Sequence, residues 1–237
     1  MDVWFPKSVT ALIATKHSRY NDLHTVPFLP SEENMLDRTA AFAAFPVLET
    51  ERFLLRAVTL DDVADIFRVM SDPRVTRYFG VPPMAALDQA QQRVQAIQTA
   101  FQEQAGVRWA ITNRANGQLV GTGGFWRLIK PHFRAEIGYE LAPEWWGQGV
   151  MTEAVGAMLG FGFTSMGLHS VEAQIHPANS GSRRVLEKLG FVQEGYFREN
   201  YFDPVEARFT DTAVYSLLKV MWMSRADRQG IAKNKTF

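Results

Sequence analysis

The sequence predicts an α/β (α+β) domain in which helices flank a mixed sheet. Three observations carry this. Runs alternating with period two are interleaved with runs at helical spacing. Two strand-like runs in the middle flank an Asn-Gly turn, so part of the sheet is built from hairpins. The remaining strand signals alternate with helices, which excludes a simple meander.

The elements follow in chain order. Residues 1–45 hold Pro6, Pro27 and Pro30 among scattered charges and lack clear periodicity, apart from a short helix expected within Asn34–Phe45. They are read as an N-terminal extension to a single domain over 46–220, with 221–237 as a basic tail expected to be disordered from Ser224. Arg52–Val58 is strand-like, with Phe53, Leu55 and Ala57 on one face. Thr59-Leu60-Asp61-Asp62 starts a helix with an acidic third position. Val63, Ile66, Phe67 and Met70 continue it at helical spacing, and Ser71-Asp72-Pro73 ends it. Leu87, Ala90, Val94, Ile97 and Phe101 form the stripe of a second helix over Ala86–Gln104. Val107–Thr112 and Gln118–Trp126 are strands around the turn Asn113–Gly117. In Arg134–Leu141, Ile137, Tyr139 and Leu141 face one way, Glu136, Gly138 and Glu140 the other. A Gly-rich turn leads into an apolar helix from Thr152. Val171–His176 is a strand, Asn179–Lys188 a helix closed by Gly190, and Phe191–Phe197 and Arg208–Leu218 a terminal strand pair.

Composition narrows the function classes. Lys plus Arg and Asp plus Glu both number 25, and this neutral balance argues against a dedicated nucleic-acid binder. The absence of cysteine removes disulfides, Cys-ligated zinc and a cysteine nucleophile, and is compatible with a cytoplasmic location. No secretory signal is visible, and the most apolar stretch, Ala154–Leu168, is shorter than the roughly 20 residues of a membrane span. No membrane partner is expected. The five histidines show no metal-ligand spacing, and no G-x-S-x-G elbow is present, so no metal is expected.

Chemistry concentrates in Glu140–Ala154, a strand, a turn with Gly147 and Gly149, then a helix. Free N–H groups at a helix start, together with the macrodipole, suit a pyrophosphate. The turn is neither a Walker loop nor the dinucleotide fingerprint G-x-G-x-x-G, because Thr152 occupies its last position. ATP and NAD are therefore disfavoured.

The run AEIGYELAPEWWGQGVMTEA (135–154) resembles the acyl-CoA-binding motif of the GNAT superfamily of N-acetyltransferases, closest to the ribosomal-protein branch of RimJ and RimL. A second block, Val171–Phe191, is similar to that branch's N-x-x-S-x-x-[VL]-[LA]-E-K-x-G-F, and PVLETERFLLRAVTLDDV resembles its opening strand and helix. The likeness spans about residues 46–220. It implies a mostly antiparallel sheet whose splayed strands form an acetyl-CoA cleft. It also implies acetyl transfer from acetyl-CoA to an amine, either a protein N-terminus or a small molecule, and a possible homodimer. A CoA-binding regulatory module without turnover is the alternative.

The resemblance also implies site residues. Leu141, Trp146, Gly147, Gln148, Gly149, Val150, Met151, Thr152 and Asn179 are expected to bind acetyl-CoA. The strand 137–141 would offer backbone groups to pantetheine. The N–H groups from Trp146 to Met151 would take the pyrophosphate, because Trp146 replaces the family's Arg or Gln. Glu136 is the candidate base, with Glu140 or a water relay as rival. Ser182 matches the branch's donor to the departing thiolate. Asn179 matches the asparagine that holds the pantetheine arm, although Asn179 or Ser180 could equally be a plain helix cap. Tyr78, Phe79, Pro82 and Pro83 would line the acceptor side.

Overall fold

The computed structural model describes residues 39–228. Eight strands are present: β1 (Leu48–Glu49), β2 (Phe53–Ala57), β3 (Val107–Asn113), β4 (Leu119–Ile129), β5 (Arg134–Leu141), β6 (Ser170–Ile175), β7 (Val192–Asp203) and β8 (Arg208–Leu218). They form one sheet in the order β1-β2-β3-β4-β5-β6-β8-β7. All neighbours pair antiparallel except β5 and β6, which are parallel. The helices are α1 (Thr39–Phe42), α2 (Val63–Met70), α3 (Pro73–Thr76), α4 (Leu87–Gln102), α5 (Val150–Thr164), α6 (Ser180–Leu189) and α7 (Lys219–Arg228).

Side-chain alternation along the strands divides the core in two. On one face Phe53, Leu55, Trp109, Ile111 and Ile137 pack with Val155, Met158, Leu159 and Phe163 of α5. Val150, Met151, Ala154, Val155, Met158, Leu159 and Phe163 are all buried, so α5 is apolar nearly all round, as a core helix must be. Trp109 is fully buried, and its indole N–H donates to the Pro46 carbonyl at 2.7 Å. That bond removes the cost of an unpaired donor. On the other face Val58, Ala110 and Leu119 pack with Ile66, Val69 and Met70 of α2 and with Ala90 and Val94 of α4.

Local signals explain the boundaries. The Asp62 carboxylate accepts the Thr59 N–H at 2.8 Å, closing the start of the first helical segment. Asp72 caps α3 by accepting the Arg74 N–H, with Pro73 in its first turn. At the β3–β4 hairpin the Gly117 N–H donates to the Asn113 carbonyl and the Asn113 side chain accepts the Ala115 N–H. Gly190 closes α6, its N–H bonding back to Leu186 and Glu187.

Several expectations are corrected. The apolar helix starts at Val150, two residues before Thr152, because Gly149 in a left-handed conformation supplies the bend. The terminal strand β7 continues past Phe197 to Asp203. The tail is helical through Arg228, and Trp222 packs on Phe163. The Arg225 guanidinium donates to the Lys188 carbonyl at 2.7 Å, which caps α6. On the extension side of residue 46, Phe42 and Phe45 pack their rings against Phe101, and Phe45 also meets Trp109. Within the helix expected in Asn34–Phe45, Thr39–Phe42 is α1. Residues 1–38 and 229–237 lie outside the described residues.

Candidate functional site

The site grows from the one parallel seam of the sheet. β5 and β6 pair through Arg134–Ser170, Ala135–Val171 and Glu136–Glu172, and the pairing then stops. From Ile137 to Leu141, β5 keeps its β4 partner but has lost its β6 partner. That stretch therefore turns an unpaired backbone edge toward the gap, and such an edge accepts extended amide-bearing ligands.

Beyond this edge the chain makes a 3₁₀ turn at Pro143–Trp145 and enters α5. Gly147 and Gly149 have φ of +75° and +77°, a region where a side chain is strained. The N–H groups from Gly147 to Thr152 have no hydrogen-bond partner among the described residues, whereas the Glu153 N–H already bonds to Gly149. Six such donors at a helix start are an arrangement suited to an anion. Two details correct the sequence reading. The Trp146 N–H is used internally, donating to the Pro143 carbonyl at 3.1 Å. The Leu141 carbonyl is likewise engaged, by the Trp146 indole N–H at 2.9 Å. Arg52, which the motif reading missed, braces the loop. It donates to the Gln148 carbonyl at 3.1 Å and pairs with Glu153 at 2.7 Å.

The two faces of β5 carry different chemistry. On the α2/α4 face Glu136 is 8% exposed and meets Arg127 at 3.1 Å. Burial pushes its carboxyl above the usual range, with the neighbouring Glu172 adding to the effect and Arg127 opposing it. Arg127 sits at φ +48°, where the β4–β5 register shifts, and it stacks over Trp126.

Two alternations further along the same face, Glu140 is 5% exposed and bonds Arg93, Arg108 and the Thr122 hydroxyl. Burial alone would raise its carboxyl, but Arg108, Arg93 and Thr122 outweigh it and hold it below the usual range. A carboxylate so engaged is poorly placed to take a proton, which weakens its case as the rival base.

On the opposite, α5 face, the Tyr139 hydroxyl lies 2.8 Å from the Ser182 Oγ. Burial raises the Tyr139 phenol, so it stays protonated and able to donate. Ser182 is in the first turn of α6. Asn179 is the cap of that helix, its Oδ1 accepting the Ser182 N–H at 3.0 Å, as its residue type favours. Gly80 and Tyr201 touch, since a Cβ on Gly80 would collide with the Tyr201 hydroxyl. Tyr78 stacks on His176 at 5.0 Å. Of the other residues expected on the acceptor side, Phe79 packs instead against the α2/α4 core.

Glu136, in the last residue pair of the seam, and the Tyr139–Ser182 pair, beside the open edge, thus lie on opposite faces of β5. Arg93, Arg108 and Arg127 belong to no sequence motif used above, and Arg52 lies in the opening block without a role assigned to it. A buried carboxylate on a strand is the one signal that could have prompted a search for its partners.

Among the described residues no group of His, Asp or Glu is arranged to hold a metal ion, and no helix is long and apolar enough to cross a membrane. Residues 52–192 match the acetyltransferase (GNAT) domain family. An uncharacterized N-acetyltransferase, YoaA of Bacillus subtilis, is 39% identical over 175 residues, which is 74% of this chain and 98% of that protein. The [ribosomal protein uS5]-alanine N-acetyltransferase of Escherichia coli is 23% identical over 183 residues, 74% of this chain and 92% of that one. The structure of Mycobacterium smegmatis RimJ in complex with CoA-disulfide shares the fold at a TM-score of 0.69 and 21% identity, covering 78% of this chain and 95% of that one. The relatives' names favour an active transferase over a CoA-binding module without turnover. With the splayed seam, the donor-rich start of α5 and a family match over most of the folded unit, this chain belongs to the GNAT family of acetyltransferases and is an N-acetyltransferase that draws its acetyl group from acetyl-CoA.

Proposed function

We propose that this enzyme acetylates an α-amine by direct attack on the thioester, in the gap where β5 and β6 part. The observation that carries this reading is the placement of Glu136, at the last paired position of the seam, and of Ser182, bonded to Tyr139 just beyond it, on opposite faces of β5. An acetyl group lying in that gap has a proton acceptor on one side and a proton donor on the other.

Each residue then has a role. The N–H groups of Gly147, Gln148, Gly149, Val150, Met151 and Thr152 hold the pyrophosphate. The edge from Ile137 to Leu141 and the Asn179 amide hold the pantetheine arm. Glu136, directly or through water, takes a proton from the amine as nitrogen bonds to the carbonyl carbon. The carbon–sulfur bond breaks, and Ser182, backed by Tyr139, donates to the departing thiolate. No acyl-enzyme is needed, and no cysteine is available to form one.

An α-amine suits this machinery better than lysine. At pH 7 the neutral fraction is on the order of one in ten for an α-amine and roughly one in a thousand for a lysine side chain. The acceptor is then a protein N-terminus, as named for the uS5-alanine relative, or a small α-amine, and the absence of cysteine suits a cytoplasmic setting.

The reading is tested by melting the protein with acetyl-CoA. At a hundredfold excess over Kd, binding contributes roughly 2.7 kcal/mol. At about 2–4 °C per kcal/mol for a domain of this size, the midpoint should rise by roughly 5–10 °C. An unchanged midpoint at millimolar acetyl-CoA overturns the assignment of the cleft.

A further inference from the structure

The Glu140 cluster is not electrically closed. Arg93 on α4 and Arg108 on β3 share one carboxylate, so one positive charge is left over. Neither arginine pairs with another carboxylate among the described residues. The nearby Arg56 is already matched by Asp62 at 2.7 Å, and Glu136 by Arg127. Partial burial, with the neighbouring Arg93 charge, pulls the Arg108 guanidinium below its usual range despite Glu140. The Arg93 Nε is buried with no hydrogen-bond partner. A half-buried charge left without a full counter-charge costs stability, and a ligand anion at the exposed guanidinium nitrogens would relieve it.

The route to the gap is open. Glu136, Gly138 and Glu140 lie on one face of β5, and Gly138 stands between the two carboxylates. A Cβ built on Gly138 would meet only the Trp126 indole nitrogen, at 3.8 Å. The surface between the candidate base and the arginines is therefore a shallow hollow floored by glycine. The arginines keep 29% and 21% of their side-chain surface exposed, so a ligand group can reach them.

We infer that Arg93 and Arg108 form an anion subsite of the acceptor pocket, and that the preferred acceptor is an amine carrying a carboxylate. This rests on the acetyltransferase reading of the same cleft. The α-carbons of Glu136 and Glu140 are about 13 Å apart along the strand, at about 3.3 Å per residue. The carboxylate therefore lies within that distance of the nitrogen, as in a peptide N-terminus followed by an acidic side chain, or in a free amino acid with a spacer. A polyamine would be repelled.

The experiment measures kcat/KM for the wild type against matched N-terminal peptides with Asp, Asn or Lys at the second and third positions, a series of ω-amino acids, and spermidine. The acidic peptide should exceed its Asn counterpart by about tenfold or more, the size of one charge-assisted hydrogen bond, and Lys peptides and spermidine should rank below Asn. Preference for the ω-amino acids over every peptide would identify a small acid as the source of the carboxylate. Arg93→Gln should bring the acid-to-neutral ratio down toward one, and Arg93→Lys should restore part of it, with acetyl-CoA KM unchanged in both. Equal use of acidic and neutral acceptors by the wild type overturns the subsite, as does a ratio that survives Arg93→Gln. The wild-type series decides the matter even if the variants fold poorly. Failure of the acetyltransferase reading looks different, because then acetyl-CoA gives no thermal shift and no acceptor releases CoA.

Discussion

Gly149→Asp should leave the fold standing and abolish acetyl-CoA binding. A side chain at this position meets no steric block, since a built Cβ would approach only the Arg52 guanidinium, at 3.8 Å. Gly149 has a left-handed φ of +77°. A non-glycine residue in that region costs roughly 1 kcal/mol. A new carboxylate beside Arg52 and at the start of α5 recovers some of that. The same carboxylate sits where the pyrophosphate must bind, and it occupies Arg52 and repels the incoming charge. With charge-assisted hydrogen bonds contributing about 1.5–3 kcal/mol each, the loss should reach at least about a hundredfold in Kd. Calorimetric titration with acetyl-CoA measures it, alongside a melt of the free protein that should move by only a few degrees. Gly149→Ala introduces the strain without the charge and should bind much more tightly than the Asp variant. Near-wild-type affinity in Gly149→Asp would place the pyrophosphate elsewhere.

The second large effect is on turnover. Glu136→Gln keeps the shape of the side chain and removes its basicity, so kcat should fall by about a hundredfold or more while acetyl-CoA KM stays close to wild type. The pH profile makes the assignment specific. The ionised carboxylate is the base, so the rate climbs as pH rises through a Glu136 pKa that burial holds above the usual carboxylate range. Glu136→Gln should erase that acid limb. Arg127→Ala removes the attraction opposing burial, so its acid limb should move to higher pH. Linkage has a matching sign. A carboxyl raised in the folded state favours folding below its unfolded pKa, and that contribution is lost as pH rises through the folded value. An unchanged limb and turnover in Glu136→Gln would transfer the base role to a water held by other groups.

Much of this is readable in one dimension because local rules dominate locally. The stripe of α4, the alternation of β5 and the cap of α6 by Asn179 each depend on spacings of two to four residues; the last two appear as expected, and the stripe holds at Ala90 and Val94 but leaves Leu87, in the first turn, exposed. What escapes depends on long-range register. Glu140 acquires its arginines from positions 47 and 32 residues away. Arg52 reaches Glu153 across 101 residues. No periodicity marks such partners, because an arginine on a strand reads the same whether it faces water or a buried carboxylate. The helical tail escapes for a related reason. Its sequence is polar, and only docking of Trp222 and Arg225 onto Phe163 and α6 gives it a reason to be ordered. At Trp146 the difference comes from the loop itself, since a loop donor is free only if the loop does not use it.

The parting of β5 and β6 also has a mechanical side. Strands β1 to β5 are stitched antiparallel throughout, as are β6, β8 and β7, while the two groups share three register pairs and a common apolar core under α5 and α6. In backbone pairing the sheet is therefore two plates joined at a short seam, and in the placement proposed above the co-substrate lies along that seam. Acetyl-CoA then acts as a splint as well as a donor. Its arrival should slow amide exchange on both plates, most of all from Ile137 to Leu141 and from Ala173 to Ile175, and its release as free CoA should loosen them again. Product departure and the stiffness of the sheet would then be a single event.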